Sequence, residues 1–411
     1  MKILWFVNNV FPDAAKIAGI RVQNNGWWLC ALAGQLQRRP DIELTVVTET
    51  PLVRADVSGV VDGVRYVLLP APWRAKVRRS FGLLGWDSLI RSCQEDVSRW
   101  RPDVVVVHGT EHGYGLAAPH LGVPAIVSLQ GILNPYYPHY WGELKGSLRR
   151  FLYPLSVFGS LYYRHRLPME RHIISANRHF FGRTDWDRAH MRAFRPDGTY
   201  HHEPRVLRPE FYRTQWNLAD VDRGRIYTTT TPSFLKGTPC LVEAFALLLK
   251  THPYAKLVIG GNIGNGGVGG YIRRKARRLD VSAAIEYLGY LTGDAIVENL
   301  RKAHVYGIPS HIENSPNNLA EAQAVGVPCV ASYAGGIPSM VEHGRTGLLF
   351  NVGDAPMLAE RFRQILDDDN LATSLSVAAR AEAIRRHDPK LVADAHLSAC
   401  GSVVDLAKSS S

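Results

Sequence analysis

Short runs of aliphatic and β-branched residues alternate with helical spacing, in two successive series, along these 411 residues. In the first half the runs fall at residues 3–7, 44–47, 104–107 and 125–129. Alternation of this kind predicts parallel sheets covered by helices, because parallel neighbours need a crossover connection. Val22, Leu29, Leu32 and Leu36 recur at helical spacing between the first two runs and predict a helix on the sheet, with Gly34 its weak point. A second series begins at Ile226 in RIYTTTT and continues through KLVIGG, IEYLGYL, HVYGIPS, PCVAS and TGLLF. Leu241, Phe245 and Leu248 mark a helix within it. Two α/β domains in succession follow, which suits the length and an apolar content of 46%. Pro204 and Pro209 discourage regular structure in HEPRVLRPEFY, where the two join. Residues 135–172 are aromatic, basic and broken by prolines, and read as an insertion with helices of its own.

Charge narrows the partners without choosing one. The 48 basic and 37 acidic residues give +11, which favours phosphate-rich ligands, nucleic acid or an anionic membrane. The basic residues form no recognisable RNA or DNA module, so nucleic acid is not expected. Cys30, Cys93, Cys240, Cys329 and Cys400 are odd in number and lack a CxxC pair, which points to free thiols in a reducing cytoplasm. The opening MKILWFVNNVFPD reads as a first strand rather than a signal peptide. The longest apolar stretch, residues 151–163, is well short of the roughly 20 residues that a spanning helix needs. A cytoplasmic location is expected, either free or peripheral on the inner face of the membrane.

The densest chemistry lies in HIENSPNNLAEAQAVGVPCVASYAGGIPSMVEHGRTGLLF, residues 311–350. Ser315 suits an N-cap and Pro316 the first helical position, so a helix is predicted that Gly326 ends. Its free amides and dipole favour an anion, with Asn317 and Asn318 as extra donors. Glu313 precedes the helix and Glu321 lies within it, so one carboxylate is available for hydroxyls on each side of a phosphate. AGGIPSM predicts a second helix start after Gly335 and Gly336. Read singly, these residues are ordinary turn chemistry and a solvated charge; the constellation favours a phosphate site.

This constellation resembles the E-x7-E signature of the retaining glycosyltransferases of family 4, and more narrowly the bacterial capsule and exopolysaccharide enzymes, whose segments SLQG and GRTDWDRA are similar. The resemblance implies the GT-B fold, two Rossmann-like domains facing a cleft. Residues 1–205 would bind acceptor, residues 206–388 would bind the nucleotide sugar, and residues 389–411 would form a C-terminal helix and tail able to return to the first domain. It also implies a sugar moved from a nucleotide diphosphate sugar to a glycan or lipid-linked glycan in polysaccharide biosynthesis, with retained configuration and with no metal or other cofactor. By this resemblance Glu313 contacts the donor sugar and Lys236 neutralises the departing diphosphate. Glu321 holds the ribose, and Asn317, Asn318 and Leu319 meet sugar and diphosphate. Gly19 lets backbone approach the phosphates, while Leu288 and Leu291 pack the base. His108, Glu111, Arg183 and Asp185 are acceptor-side candidates on the loops of the first domain.

Three positions depart from the family pattern. Its arginine before the lysine falls at or near Thr231, its histidine in the first domain is Gln130, here placed on the donor side, and its glutamate after Gly-Gly-x-Pro is Ser339. Losing a fixed cation weakens leaving-group stabilisation by a few kcal/mol; Arg183 or an arginine of IRRKARR is a candidate replacement. DDDN, residues 367–370, reads as surface charge and not as a metal motif. A nucleotide-sugar epimerase and a non-catalytic nucleotide-sugar-binding subunit are the competing readings. Finally, Lys145, Arg149, Arg150, Arg164 and Arg166 flank the apolar residues from Phe151 to Tyr162, and a similar mixture spans Trp73, Arg74, Lys76, Arg78, Arg79, Phe81, Leu83 and Leu84. Two outcomes stand equal: an amphipathic surface of the first domain, at the mouth of the cleft and not on the second-domain side, on an anionic membrane, or a hairpin that completes the first core.

Overall fold

The computed structural model describes residues 1–22, 26–71, 73–74, 77 and 85–409. The chain divides into two compact units: residues 1–135, 161–206 and 387–411 form the first, and residues 136–160 and 207–386 the second.

The first unit is built on eight strands: β1 Lys2–Phe6, β2 Glu43–Thr50, β3 Val57–Val61, β4 Val64–Pro70, β5 Val104–His108, β6 Ala125–Ser128, β7 His179–Gly182 and β8 Thr199–His202. Their order across the sheet is β3-β4-β2-β1-β5-β6-β7-β8, every pair parallel except β3 with β4. Alternate residues of β1 face opposite sides, so Ile3, Trp5 and Val7 join one core and Leu4 and Phe6 the other. Burial on both faces explains why β5 reads VVVV without alternation. The expected helix spans Trp27–Leu36, with Leu29, Leu32 and Leu36 buried; Val22 lies outside it, because Gly26 at φ 97° breaks the helical path. Sequence reasoning passed over β3, β4, β7 and β8. The β3–β4 hairpin had a readable signal, Asp62-Gly63, both at positive φ as its two-residue turn requires.

The second unit contains β9 Arg225–Thr229, β10 Lys256–Gly260, β11 Ile285–Gly289, β12 Val305–Ile308, β13 Cys329–Ser332 and β14 Leu348–Phe350. All pairs are parallel, in the order β11-β10-β9-β12-β13-β14. This is the doubly wound arrangement, whose strand order reverses between β9 and β12 and leaves a crevice at their carboxyl ends. Leu241, Phe245 and Leu248 of helix Thr238–Leu248 are buried against this sheet as their spacing predicts, each contributing about 1.5–3 kcal/mol.

Residues 135–172 do not form one insertion. Residues 136–160 group with the second unit, where Leu144 and Tyr153 enter its core, and residues 161–172 with the first. Leu148, Phe151, Leu152, Leu155 and Phe158 are exposed and belong to the second unit, so this stretch neither completes the first core nor forms the first-domain surface expected for a membrane contact. Arg166, expected on the surface, is buried and donates to the Glu111 carbonyl at 2.7 Å. The companion stretch is described only at Trp73, Arg74 and Val77, all three exposed; Lys76, Arg78, Arg79, Phe81, Leu83 and Leu84 lie outside the described residues. DDDN is a helix junction, in which Asp368 accepts from the Asn370 and Leu371 amides between helices Ala355–Asp367 and Asp369–Arg386. Among the described residues no helix is long and apolar enough to cross a membrane. All five cysteines are free.

The helix Pro389–Ser409 packs in the first unit. There His396 is fully buried, hydrogen-bonded to Glu203 and stacked on Phe181 with ring centroids 4.9 Å apart. Burial pulls the His396 imidazolium down, but Cys400 and Glu203 hold it up at about 10.

Candidate active site

In the second unit, residues expected to act together meet where the strand order reverses. β9 runs out into a loop in which the Ser233 hydroxyl accepts from the Leu235 amide and caps a short turn, Phe234–Lys236. β12 runs out into residues 309–316, and the His311 amide donates to the Leu235 carbonyl at 2.7 Å, tying the two loops together. Gly237 makes the approach feasible: its φ is 62°, and a Cβ there would lie 1.9 Å from the Pro309 carbonyl oxygen. Across this junction Lys236 Nζ sits 2.6 Å from Glu313 Oε1, which also accepts from the Ser310 hydroxyl at 2.9 Å.

A third loop fixes the Glu313 backbone. The Gly336 amide donates to the Glu313 carbonyl at 2.9 Å, and Gly335, at φ 52°, would place a Cβ 2.0 Å from that oxygen. Only glycine lets the chains pass so closely. The helix start expected after this pair is a single turn, Ile337–Ser339, with Ile337 buried, so the site has one full helix N-terminus and not two.

That helix is Asn317–Val325, one residue shorter at its start than expected. Pro316 and not Ser315 is its N-cap and makes no side-chain cap bond; Gly326, at φ 92°, ends it as predicted. Asn318 reaches across to β9, its Nδ2 donating to the Thr229 carbonyl at 3.3 Å, while Leu319 is buried. Glu321 Oε1 accepts from Arg208 Nη2 at 2.9 Å and Nε at 3.2 Å. Burial pushes the Glu321 carboxyl up to about 7, against the pull of Arg208. Leu288 lies on β11, and Leu291 lies just beyond it, 2.9 Å from where a Cβ on Gly260 would stand. Sequence reasoning missed Ser310 and Arg208; the three-residue offset of Ser310 from Glu313 was legible, whereas the Arg208 contact spans 113 residues of sequence.

The same rule locates the first-unit candidates, since strand order there reverses between β1 and β5. Asn8, after β1, donates to the His108 carbonyl at 3.3 Å. His108 is buried edge-on to Trp5 and Trp28, its ring nitrogens without partners among the described residues, and burial with nearby His396 and Arg183 lowers its pKa well below normal. Glu111 is held against Gly109, and burial raises its carboxyl. The buried Arg183 donates to the Leu129 carbonyl at 2.6 Å with its guanidinium 4.8 Å over Trp28. Gln130 follows on the same loop, half-buried. Gly19 ends helix Pro12–Ala18 at φ 64°.

Asp185 does not join this group. It is exposed and paired with Arg188 at 2.6 Å, because the neighbouring Asp187 takes the buried place, completing a capping box with Thr184 and accepting from Tyr200 at 2.6 Å. A further carboxylate, Glu170, was missed. It accepts from the Thr110 hydroxyl and from the Leu133 and Asn134 amides, all at 2.8 Å, and thereby fixes the loop after β6.

Of the expected substitutes for the missing arginine, Arg183 belongs to the first unit, Arg273 covers Tyr287 at 3.8 Å and Arg274 donates to Tyr153.

Comparison with known proteins places these features in a class. The solved structures of sucrose-phosphate synthase from Thermosynechococcus elongatus (TM-score 0.74, 16% identity, covering 100% of both chains) and of Anabaena HepE with UDP and glucose (0.70, 15%, 98% of this chain and 100% of that one) are similar throughout, so the fold is GT-B. Residues 230–382 match the family described as glycosyl transferases group 1. Among curated relatives, D-inositol 3-phosphate glycosyltransferase of Corynebacterium jeikeium is 31% identical over 155 residues. That match covers 37% of each chain, so this chain spans little more than a third of the relative's length.

Proposed function

We propose that the protein is a retaining glycosyltransferase moving a sugar from a nucleotide diphosphate sugar to a glycan or lipid-linked glycan in polysaccharide biosynthesis. The observation that carries this reading is the Lys236–Glu313–Ser310 cluster at the strand-order reversal, beside the N-terminus of helix Asn317–Val325. A cation and helix amides at one crevice suit a departing diphosphate, with Lys236 in the role that a metal fills elsewhere. Glu313 is placed to accept a sugar hydroxyl, and Glu321, once ionised, a ribose hydroxyl. Retention is read as attack from the face of the leaving group, because no side chain at this crevice is assigned as a covalent nucleophile. The sucrose-phosphate synthase and HepE neighbours, the latter holding UDP and glucose, support a nucleotide-sugar donor.

The acceptor would meet the carboxyl ends of β1 and β5 in the first unit, near His108, Glu111 and Arg183. The exposed Leu148, Phe151, Leu152, Leu155 and Phe158, with Arg149 beside them, support peripheral contact of the second unit with an anionic membrane, where a lipid-linked acceptor resides. The test is release of nucleotide from UDP-, GDP- and ADP-sugars in the presence of acceptor. Lys236→Ala should lower turnover more than tenfold, about 1.4 kcal/mol in barrier. Glu321→Ala should weaken donor binding, and Glu313→Ala should chiefly lower turnover. Equal donor affinity and turnover in wild type and all three variants would refute the assignment.

A further inference from the structure

Beside the exposed Leu148, Phe151, Leu152, Leu155 and Phe158 lies a pocket of about 300 Å³ in the second unit, lined by Arg149, Leu152, Tyr153, Tyr271, Arg274 and Arg278 together with Lys275. Two segments build it: the turn Leu148–Leu152 with the start of helix Pro154–Ala176, and the helix Gly267–Arg278. Residues 136–160 and 267–278 carry eight cationic side chains and one carboxylate, Glu143. Lys275 is already satisfied, by Glu143 at 3.1 Å and Glu243 at 2.8 Å. Among the described residues the charge of the pocket without an ion-pair partner is therefore that of Arg149, Arg274 and Arg278.

Its walls are ordered from behind. Arg274 donates to the Tyr153 hydroxyl at 3.2 Å, and the buried Tyr153 ring stands edge-on to Tyr271 and to Phe234, two residues before Lys236. In front stand Leu148, Phe151, Leu152, Leu155 and Phe158, from 59% to 86% exposed. Arg150 lies over the Phe151 ring at 5.1 Å, which keeps its charge at the foot of this apolar ridge.

An apolar ridge of this size exposed to water is unfavourable unless something covers it. Basic charge beside it selects the cover: hydrocarbon for the ridge and an anion for the pocket, a combination that an anionic phospholipid offers in one molecule. We infer that the pocket of Arg149, Arg274 and Arg278 binds the phosphate headgroup of an anionic phospholipid while the Phe151–Phe158 ridge enters the acyl boundary. The inference rests on the membrane contact proposed above and adds a discrete headgroup site to it. It places the docking surface on the donor-binding unit.

The test is co-sedimentation of the full chain with vesicles of phosphatidylcholine alone and with roughly one-third phosphatidylglycerol. Wild type should bind the anionic vesicles and bind the neutral ones weakly. Arg274→Gln with Arg278→Gln should cut partitioning on anionic vesicles by about tenfold or more and leave neutral vesicles unaffected. Phe151→Ser with Leu155→Ser should reduce both. Thermal stabilisation by nucleotide sugars, unchanged in both double variants, shows that they fold. Loss in the ridge variant with full anionic binding in the pocket variant overturns the headgroup site but keeps the membrane contact. Absence of vesicle binding by wild type overturns both. Stabilisation by free glycerol 3-phosphate that needs the pocket arginines, with vesicle binding indifferent to them, assigns the pocket to a soluble phosphate and overturns the inference. A dimer in solution that the ridge variant dissociates, with no vesicle binding, assigns the ridge to a second copy and likewise overturns it.

Discussion

Replacing Lys236 by Met and Glu313 by Gln, singly and together, isolates the contact on which the active-site reading turns. At 2.6 Å the two charges attract by about 6 kcal/mol for an effective dielectric near 20, before desolvation is counted. Lys236 keeps 30% of its side chain in solvent and Glu313 only 11%, so desolvation and screening remove most of that gain. A coupling of about 2 kcal/mol remains. Lys236→Met alone should cost the most, because it leaves the buried Glu313 carboxylate with the Ser310 hydroxyl and no cation. Glu313→Gln keeps an acceptor for both partners and should cost less. The double variant should recover part of the loss. The assay is chemical denaturation near neutral pH, with each transition fitted separately because two units need not unfold in one step. Coupling below about 0.5 kcal/mol would show the pair to be incidental and would refute the claim that Glu313 is held by Lys236.

Three further outcomes follow from the geometry. Glu321 is raised to about 7, so its favourable share of stability is full below the unfolded value of 4.5 and lost as pH rises through about 7, whereas donor affinity should rise over the same interval as the carboxylate forms; Glu321→Gln should flatten both trends, and persistence of either slope in that variant assigns it elsewhere. Gly335→Ala puts a Cβ against the Glu313 carbonyl at a positive φ and should lower stability by about 2 kcal/mol or more with loss of turnover; calorimetry and a product assay check this, and a fully active variant would show that the loop can move aside. His396 is raised to about 10, so its contribution to the first unit is full below 6.5 and fades as pH rises through about 10; thermal unfolding across that range should lose its slope in His396→Gln.

The sequence by itself determined the alternation of strands and helices, the class of parallel sheets covered by helices, and the site motif. Those signals are local: β-branched runs, a helix that stops at Gly326, a carboxylate on either side of Ser-Pro-Asn-Asn. Tertiary structure decided the rest, because it depends on contacts between residues far apart in the chain. Glu313 faces Lys236 only because β9 and β12 are neighbours, and Arg208 meets Glu321 across 113 residues. Asp185 and Asp187 look equivalent in GRTDWD, yet capping geometry buries one and exposes the other. Residues 136–160 read as part of the first half by position, and packing of Tyr153 beside Phe234 and Tyr271 assigns them to the second. Spacing along the chain fixes which face of an element is apolar, and only the packing of distant elements fixes what that face meets.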